Sequence, residues 1–255
     1  MPHLHRFYTD VTPDGNNLIQ LTGHEAHHAL HVVRLKLGDT IEIFDGAGRE
    51  WEGRVVKMTR HDVEVEVWEC RATGRAPAGL TLFQAGLHRD KATEELIRHG
   101  SEIGITRIVF FPSHHSERQP RASDKWRRTA IEACKQCRRA WLPEFDTADS
   151  LEDALARATG TLLVATAELP SVPVAQAITS PEVSLFVGPE GDFTEQELGA
   201  FVAREAKAIS LGDATYRSEV AAVLAAALVM YELGLLGPVR TRSSNWAGLS
   251  IPPSG

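Results

Sequence analysis

The period of the hydrophobic pattern changes near residue 75 of this 255-residue chain. Before that point, the stretches TIEIFD (40–45), WEGRVV (51–56) and DVEVEVWE (62–69) alternate apolar and polar residues. A period of two is typical of strands with one buried face. The first part of the chain is therefore predicted to be a small β-rich domain.

After the linker-like stretch RATGRAPAGL (71–80), apolar strands and amphipathic helices alternate. The predicted strands are LTLFQAG, RIVFF, LLVA, SLFVG and AISL, and the predicted helices lie around 93–103, 125–140, 195–206 and 218–233. Such an order predicts a mostly parallel sheet covered by helices. We therefore predict a β-rich domain over 1–73, an α/β domain over 77–236 and a flexible polar tail over 237–255.

Composition and charge indicate where the protein acts and which partners it can bind. The start of the chain has no apolar signal core, and the longest apolar run (220–231) is too short to span a bilayer. We therefore expect a cytoplasmic protein without membrane attachment. The net charge of -7 argues against non-specific coating of nucleic acid. Residues 114–141, however, carry eight basic against three acidic side chains, which predicts either a phosphate-binding face or an ordinary solvated helix.

The segment HEAHH (24–28) fits the zinc-peptidase pattern H-E-x-x-H, with His24 and His28 as ligands and Glu25 as general base. Metzincins continue this pattern with glycine and a third histidine, where this chain has His31 and Arg34. No later glutamate on a convincing second helix completes the site. The sequence therefore predicts no metal site, and the segment is interpreted as a short helix.

Two glycine-bearing loops follow strands of the predicted parallel sheet, where ligands of open α/β sheets bind. SLFVG continues into GPEGDFTEQEL, in which Thr194 and Glu197 predict a helix capping box. AISL continues into LGDATYRSE, with Gly212 at the turn. These loops predict a ligand held mainly by main-chain groups, although their glycines could also be plain turn formers.

The same two stretches, LFVGPEGDFTEQEL and ISLGDATYRSEVAA, resemble the RsmE-type 16S ribosomal RNA uridine N3-methyltransferases of the knotted SPOUT class. HVVRLKLGDTIEIFDGAG, the pair SEIG and SER, and EACKQCRRAWLPEF match further family patterns in the same order. The resemblance covers almost the whole chain. Three positions depart from it: Asp192 replaces a glycine, Tyr216 a leucine and His99 a lysine.

The resemblance implies an α/β protein with a small N-terminal PUA-like β-barrel RNA-binding domain and a SPOUT domain with a C-terminal trefoil knot, an exception to the rule against threading. It implies a homodimer that acts on 16S ribosomal RNA or the small ribosomal subunit. S-adenosylmethionine would be the cofactor, held by Leu163, Ala165, Thr166, Val187, Gly188, Pro189, Glu190, Gly191, Leu211, Gly212, Tyr216, Arg217 and Ala221. RNA would contact His31, Arg34, Lys91, Arg118 and Arg139.

Methylation of uracil N3 requires loss of a proton and places negative charge on O2 and O4. Arg217 is our candidate for the stabilising cation. Glu219 is a candidate base, although a carboxylate at a helix start is more often structural. Two alternatives stay open: another RNA target such as a ribose 2'-hydroxyl, and a non-catalytic RNA-binding protein that lost the chemistry through Asp192 or His99.

Overall fold

Two β-sheets, one on each side of residue 75, organise the chain. The structure, a computed structural model, describes residues 4–237. The prediction of a β-rich domain followed by an α/β domain is confirmed. All of the predicted tail except Gly237 lies outside the described residues. Within the described part of the chain, no helix has the length and apolar character needed to cross a membrane.

The N-terminal sheet has five strands in the order β1-β3-β4-β5-β2. Its central antiparallel strands are those predicted from alternation, and β1 joins β3 in parallel. A short helix follows β2 and widens into one π-helical turn that ends at Arg34, which is left-handed with φ 59°. The elements are β1 (Arg6–Tyr8), β2 (Leu18–Leu21), α1 (Gly23–His27), the π-helical turn (His28–Val33), β3 (Thr40–Phe44), β4 (Arg49–Met58) and β5 (Val63–Ala72).

The second sheet has six strands in the order β11-β9-β10-β6-β7-β8, and every neighbouring pair is parallel. The prediction of a mostly parallel sheet is therefore confirmed. The strands are β6 (Gly79–Ala85), β7 (Arg107–Phe111), β8 (Glu144–Thr147), β9 (Thr161–Ala165), β10 (Glu182–Val187) and β11 (Lys207–Ile209).

Helices cover both faces of this sheet. The cluster on one face includes buried residues of α2, α3 and α7, and the cluster on the other includes residues of α4 and α6. The helix predicted over 125–140 ends at Cys137 because Arg138 turns left-handed, with φ 61°. The helices are α2 (Asp90–Ile103), α3 (Asp124–Cys137), α4 (Leu151–Ala156), α5 (Val174–Ala177), α6 (Glu195–Ala203) and α7 (Ser218–Glu232).

The two domains are joined through the end of α3. Arg6 of β1 is buried, pairs with Glu42, and donates to the carbonyl of Arg139 at 2.9 Å. Arg138 donates to the other oxygen of Glu42 at 2.8 Å. Because buried charges are tolerated only when they are paired, this network fixes the N-terminal sheet against α3.

The last strand, β11, lies between β9 and the segment Ser171–Val172. The N–H of Val172 donates to Ala208 O at 3.0 Å, and the N–H of Thr166 donates to Ile209 O at 3.2 Å. The chain leaving β9 thus contacts both edges of the final strand. The trefoil knot itself stays a prediction.

Candidate active site

Three loops meet at the carboxyl ends of β9, β10 and β11. Thr166, just after β9, bonds to the end of β11, and its hydroxyl lies 3.5 Å from the carboxylate of Asp192 in the loop after β10. Ser218, which follows the loop after β11, donates its hydroxyl proton to the carbonyl of Gly188. The structure thus brings together the two glycine-bearing loops that the sequence singled out.

The loop after β10 turns at Asp192, which has φ 56°. Aspartate tolerates this left-handed conformation better than most residues. One Asp192 carboxylate oxygen also accepts the N–H of Phe193 at 2.8 Å. The replacement of the family's glycine therefore keeps the turn while adding a charge. A Cβ on Gly191 would lie 3.0 Å from the Cβ of His115, so a larger residue there would have to displace the His115 side chain.

Glu197 connects the loop after β10 to the loop after β7 through hydrogen bonds. It forms the predicted capping box with Thr194 and accepts from Ser113 Oγ at 2.8 Å and from the N–H of His114 at 2.9 Å. Burial by itself would raise the pKa of Glu197, but the hydrogen bonds from Thr194, His114 and Ser113 outweigh it and lower this pKa. Glu197 is therefore an ionised structural group.

Gln84, at the end of β6, is fully buried beside the same loops. Its side-chain N–H₂ lies 3.1 Å from the carbonyl oxygen of Gly188, 2.9 Å from Ser218 Oγ and 3.0 Å from Ala85 O. Its Oε1 has no hydrogen-bond partner within residues 4–237. Gln84 thus fixes the loop after β10 to the start of α7. Sequence reasoning missed it, although a lone polar residue near the end of an apolar strand was a usable signal.

A cavity of about 690 Å³ opens beside the loop after β10. Arg217 and Glu219, the two residues predicted to carry the chemistry, both line it. Glu219 is only 7% exposed, yet neither its side chain nor that of Arg217 forms a hydrogen bond or ion pair within residues 4–237. Because a buried carboxylate without a partner is costly, Glu219 is typical of a binding-site residue. The other lining residues are His88, Arg89, Lys91, Ala92, Glu95, His115, Glu117, Glu190 and Gly191.

The remaining predicted cofactor residues lie at or near the three strand ends. Ala165 is the last residue of β9, and Thr166 follows it. Leu211, Gly212 and Tyr216 lie in the loop after β11. Two residues stand apart from the loops. Leu163 is fully buried in the core of the sheet, and Ala221 is half-buried in the first turns of α7. The assignment of all these residues to a cofactor stays a prediction.

The predicted RNA contacts are spread over both domains. Lys91 lines the cavity, and the guanidinium of Arg118 lies 3.5 Å from Asp90. His31 packs against His27, and Arg34 is exposed at the end of the π-helical turn. Arg139 donates to the carbonyl oxygens of Glu102 and Ile103 at 2.8 and 2.7 Å. The guanidinium of Arg139 therefore closes the C-terminus of α2, whatever its role toward RNA.

The HEAHH segment lies at the contact between the N-terminal domain and α3. Sequence reasoning found no later glutamate on a second helix that completes a zinc site with His24 and His28. In the structure, Glu132 of α3 lies beside His24 and Glu25, with ligand atoms within 4.8 Å, but His28 is not part of this group. However, Lys135 Nζ lies 3.1 Å from Glu25 and 3.0 Å from Glu132. This ammonium supplies the positive charge that a metal would bring.

His28 belongs to the same cluster and cannot act as the second zinc ligand of the pattern. Its Nδ1 lies 3.2 Å from Lys135 Nζ, and its ring packs against Phe7. Burial lowers the pKa of His28, and the charge of Lys135 lowers it further. His28 is therefore a neutral acceptor for Lys135.

Comparison with known proteins agrees with this geometry. Residues 21–67 match the family model of the RNA methyltransferase PUA domain. The ribosomal RNA small subunit methyltransferase E of Rickettsia conorii is 26% identical over 230 residues, which cover 88% of this chain and 94% of the relative. The solved ribosomal RNA small subunit methyltransferase E of Neisseria gonorrhoeae, bound to S-adenosyl methionine, is 25% identical, with a TM-score of 0.79 over 90% of this chain and 98% of its own.

A methyltransferase of Legionella pneumophila, solved with its bound cofactor, shares the fold at 22% identity, with a TM-score of 0.78 over 90% of this chain and 98% of its own. The PUA-like and methyltransferase domain types implied by the resemblance are therefore confirmed. Residues 75–230, more than half of the chain, match the family model of the RNA methyltransferase domain, and the protein belongs to that family.

Proposed function

We propose that this protein transfers a methyl group from S-adenosylmethionine to N3 of a uridine in 16S ribosomal RNA. The observation that carries the proposal is the unpaired Arg217 and Glu219 in one cavity, next to the loop after β10. The relatives named for small-subunit RNA methylation support the substrate class. Because ribosomal RNA is the substrate, the protein acts in the bacterial cytoplasm.

The three loops suit the proposed cofactor. Gly191 lies close to the His115 side chain in the cavity lining, and the side-chain N–H₂ of Gln84 holds the Gly188 carbonyl at 3.1 Å. S-adenosylmethionine would supply an electrophilic methyl group, and the main chain around 165–166, 187–191 and 211–216 would hold its adenosine part. The site uses no G-x-G-x-x-G turn, so it differs from a Rossmann-type cofactor site.

The two charged residues have complementary tasks in this reaction. Glu219, as a carboxylate, accepts the N3 proton of uracil. Arg217 places a planar two-pronged donor where O2 or O4 gains negative charge. Both groups are uncommitted within the described residues, so neither must break an internal bond to act.

The experiment that tests this function uses small subunits and 16S ribosomal RNA that lack the modification. We expect the purified protein to bind S-adenosylmethionine and to produce 3-methyluridine, measured by nucleoside mass spectrometry. A 2'-O-methylated product would contradict the proposed target atom. Cofactor binding without any methylated nucleoside would favour the non-catalytic alternative.

A homodimer is the expected assembly, because α7 presents an apolar stripe to solvent. Val220, Leu224, Leu228 and Tyr231 are 41%, 39%, 45% and 59% exposed and recur at helical spacing on the face opposite the buried alanines. A contiguous exposed apolar stripe commonly marks an interface. We propose that two copies pair through it and that each RNA site uses both chains.

Leu224→Glu/Leu228→Glu should therefore convert the dimer to a monomer and reduce methylation. The reason is that two buried charges on each chain would face each other across the interface. Light scattering at micromolar concentration measures the mass. Val202→Glu, at an exposed apolar residue of α6, is the matched control and should stay dimeric. A monomeric wild-type protein with full activity would contradict the dimer.

A further inference from the structure

The groove between the two domains is, we propose, a second RNA-contact site that takes one unpaired nucleotide near the target uridine. This inference rests on the proposed function. The groove has a volume of about 550 Å³, within the usual range of about 300 to 1,000 Å³ for small-molecule sites. One wall comes from the N-terminal domain around β1, β2 and α1, and the other from α2 and α3.

The groove is lined by polar groups that have no partner. Arg98 of α2 and Arg128 of α3 are exposed and form no hydrogen bond or ion pair in the described part of the chain. The side chains of Gln20 and Thr129 are also unbonded within residues 4–237. Thr22 occupies the N-cap position of α1, yet its hydroxyl makes no cap bond. The groove therefore offers two guanidinium forks together with free amide and hydroxyl groups.

The acids of the groove are partly neutralised. Glu25 and Glu132 share Lys135, whose side chain is 7% exposed. Lys125 pairs with Glu94 at 2.5 Å, and Asp10 is the remaining acid in the lining. Arg98 and Arg128 are thus the cations of the lining that no acid pairs with in the described residues, and their guanidinium groups are available to a phosphate.

RNA is the ligand that matches this set of groups. Guanidinium forks bind phosphate in a bidentate way. Amides and hydroxyls can bond to the edge of a base that has been splayed out of a single strand, which is how proteins usually recognise RNA sequence. Leu21 and Ile131 add apolar contact for the base. The groove therefore has partners for a phosphate and for a base.

One face of α2 connects the groove with the catalytic cavity. Lys91 and Glu95 line the cavity, and Arg98 lines the groove. These residues lie on the same helix face, at spacings of four and three. Seven residues of helix span about 10 Å. A single RNA strand can therefore contact both sites.

The test compares Arg98→Ala/Arg128→Ala with the matched control Arg54→Ala/Arg60→Ala, which removes two exposed arginines of the N-terminal domain outside the groove. Filter binding to 16S ribosomal RNA and to small subunits is measured over a series of salt concentrations. We expect the groove variant to bind at least about tenfold more weakly, with a salt slope smaller by about 0.7, the contribution of one phosphate contact in a single strand. S-adenosylmethionine affinity should be unchanged.

A photo-cross-linking amino acid at Thr129 provides a second readout and should form an adduct with ribosomal RNA. Equal affinity and salt slope in the two double variants would overturn the proposal, as would a Thr129 adduct with a ribosomal protein only. The proposed function is tested separately by 3-methyluridine formation. A wild-type protein that shows the groove effect but makes no 3-methyluridine would support the groove and remove the methylation reaction.

Discussion

Arg217→Ala should fold and bind S-adenosylmethionine, but its turnover should fall by about 10² to 10³, the usual cost of losing one donor to a developing oxyanion. Arg217 lines the cavity and its side chain has no hydrogen bond or ion pair within the described residues, so truncating this side chain breaks none. The negative charge on uracil is larger in the transition state than in the bound substrate. The loss should therefore appear in kcat more than in KM. Nucleoside mass spectrometry of 3-methyluridine under saturating RNA measures it.

Two further variants separate this role from simple phosphate binding. Arg217→Lys should recover only part of the turnover, because an ammonium keeps the charge but loses the planar fork. Arg89→Ala removes another guanidinium from the lining of the same cavity and should mainly weaken RNA binding and its salt dependence. If Arg217→Ala behaves like Arg89→Ala and keeps near-normal turnover at saturating RNA, Arg217 is a binding residue only.

Much of the fold was predictable because its main elements are long enough to show a period. The hydrophobic pattern predicted three of the five strands of the N-terminal sheet, β3, β4 and β5. It also predicted the apolar strands of the parallel sheet and the four longer helices. The elements that were missed, β1, β2, β8, α4 and α5, have three to six residues. Distant partners stabilise such short elements, as β3 does for β1. Periodicity within a short window carries no information about such pairing.

The candidate site also contains residues that the sequence predicted and residues that it missed. The loops after β10 and β11 were predictable because glycine, proline and helix-capping residues directly after a strand indicate a turn. Gln84 was missed because it binds Gly188, which lies 104 positions away. The Lys135 contact with Glu25 spans 110 positions and gives the short HEAHH helix a role at the joint between the domains that the sequence did not predict. These roles depend on tertiary neighbours that no local spacing specifies.

Glu219→Gln should lower turnover by about 10² to 10⁴, the usual contribution of a general base. The amide keeps the size of the side chain but cannot accept the N3 proton. Glu219 is 7% exposed, lines the cavity and has no hydrogen bond or ion pair within residues 4–237. Raising the pH should restore part of the turnover in the variant, because uracil then loses its N3 proton to solvent. The measurement is a pH profile of kcat for both proteins.

The rival role is structural, since a carboxylate in the first turn stabilises a helix by about 0.3 to 1 kcal/mol through the helix dipole. Glu195, an exposed acid in the first turn of α6, provides the matched control. Glu195→Gln should lower Tm slightly and keep full activity. Glu219→Gln should keep or raise Tm, because it removes a buried carboxylate that lacks a partner. A fall in Tm like that of the control, with turnover retained, would make Glu219 a helix-capping residue and leave the N3 proton to another group.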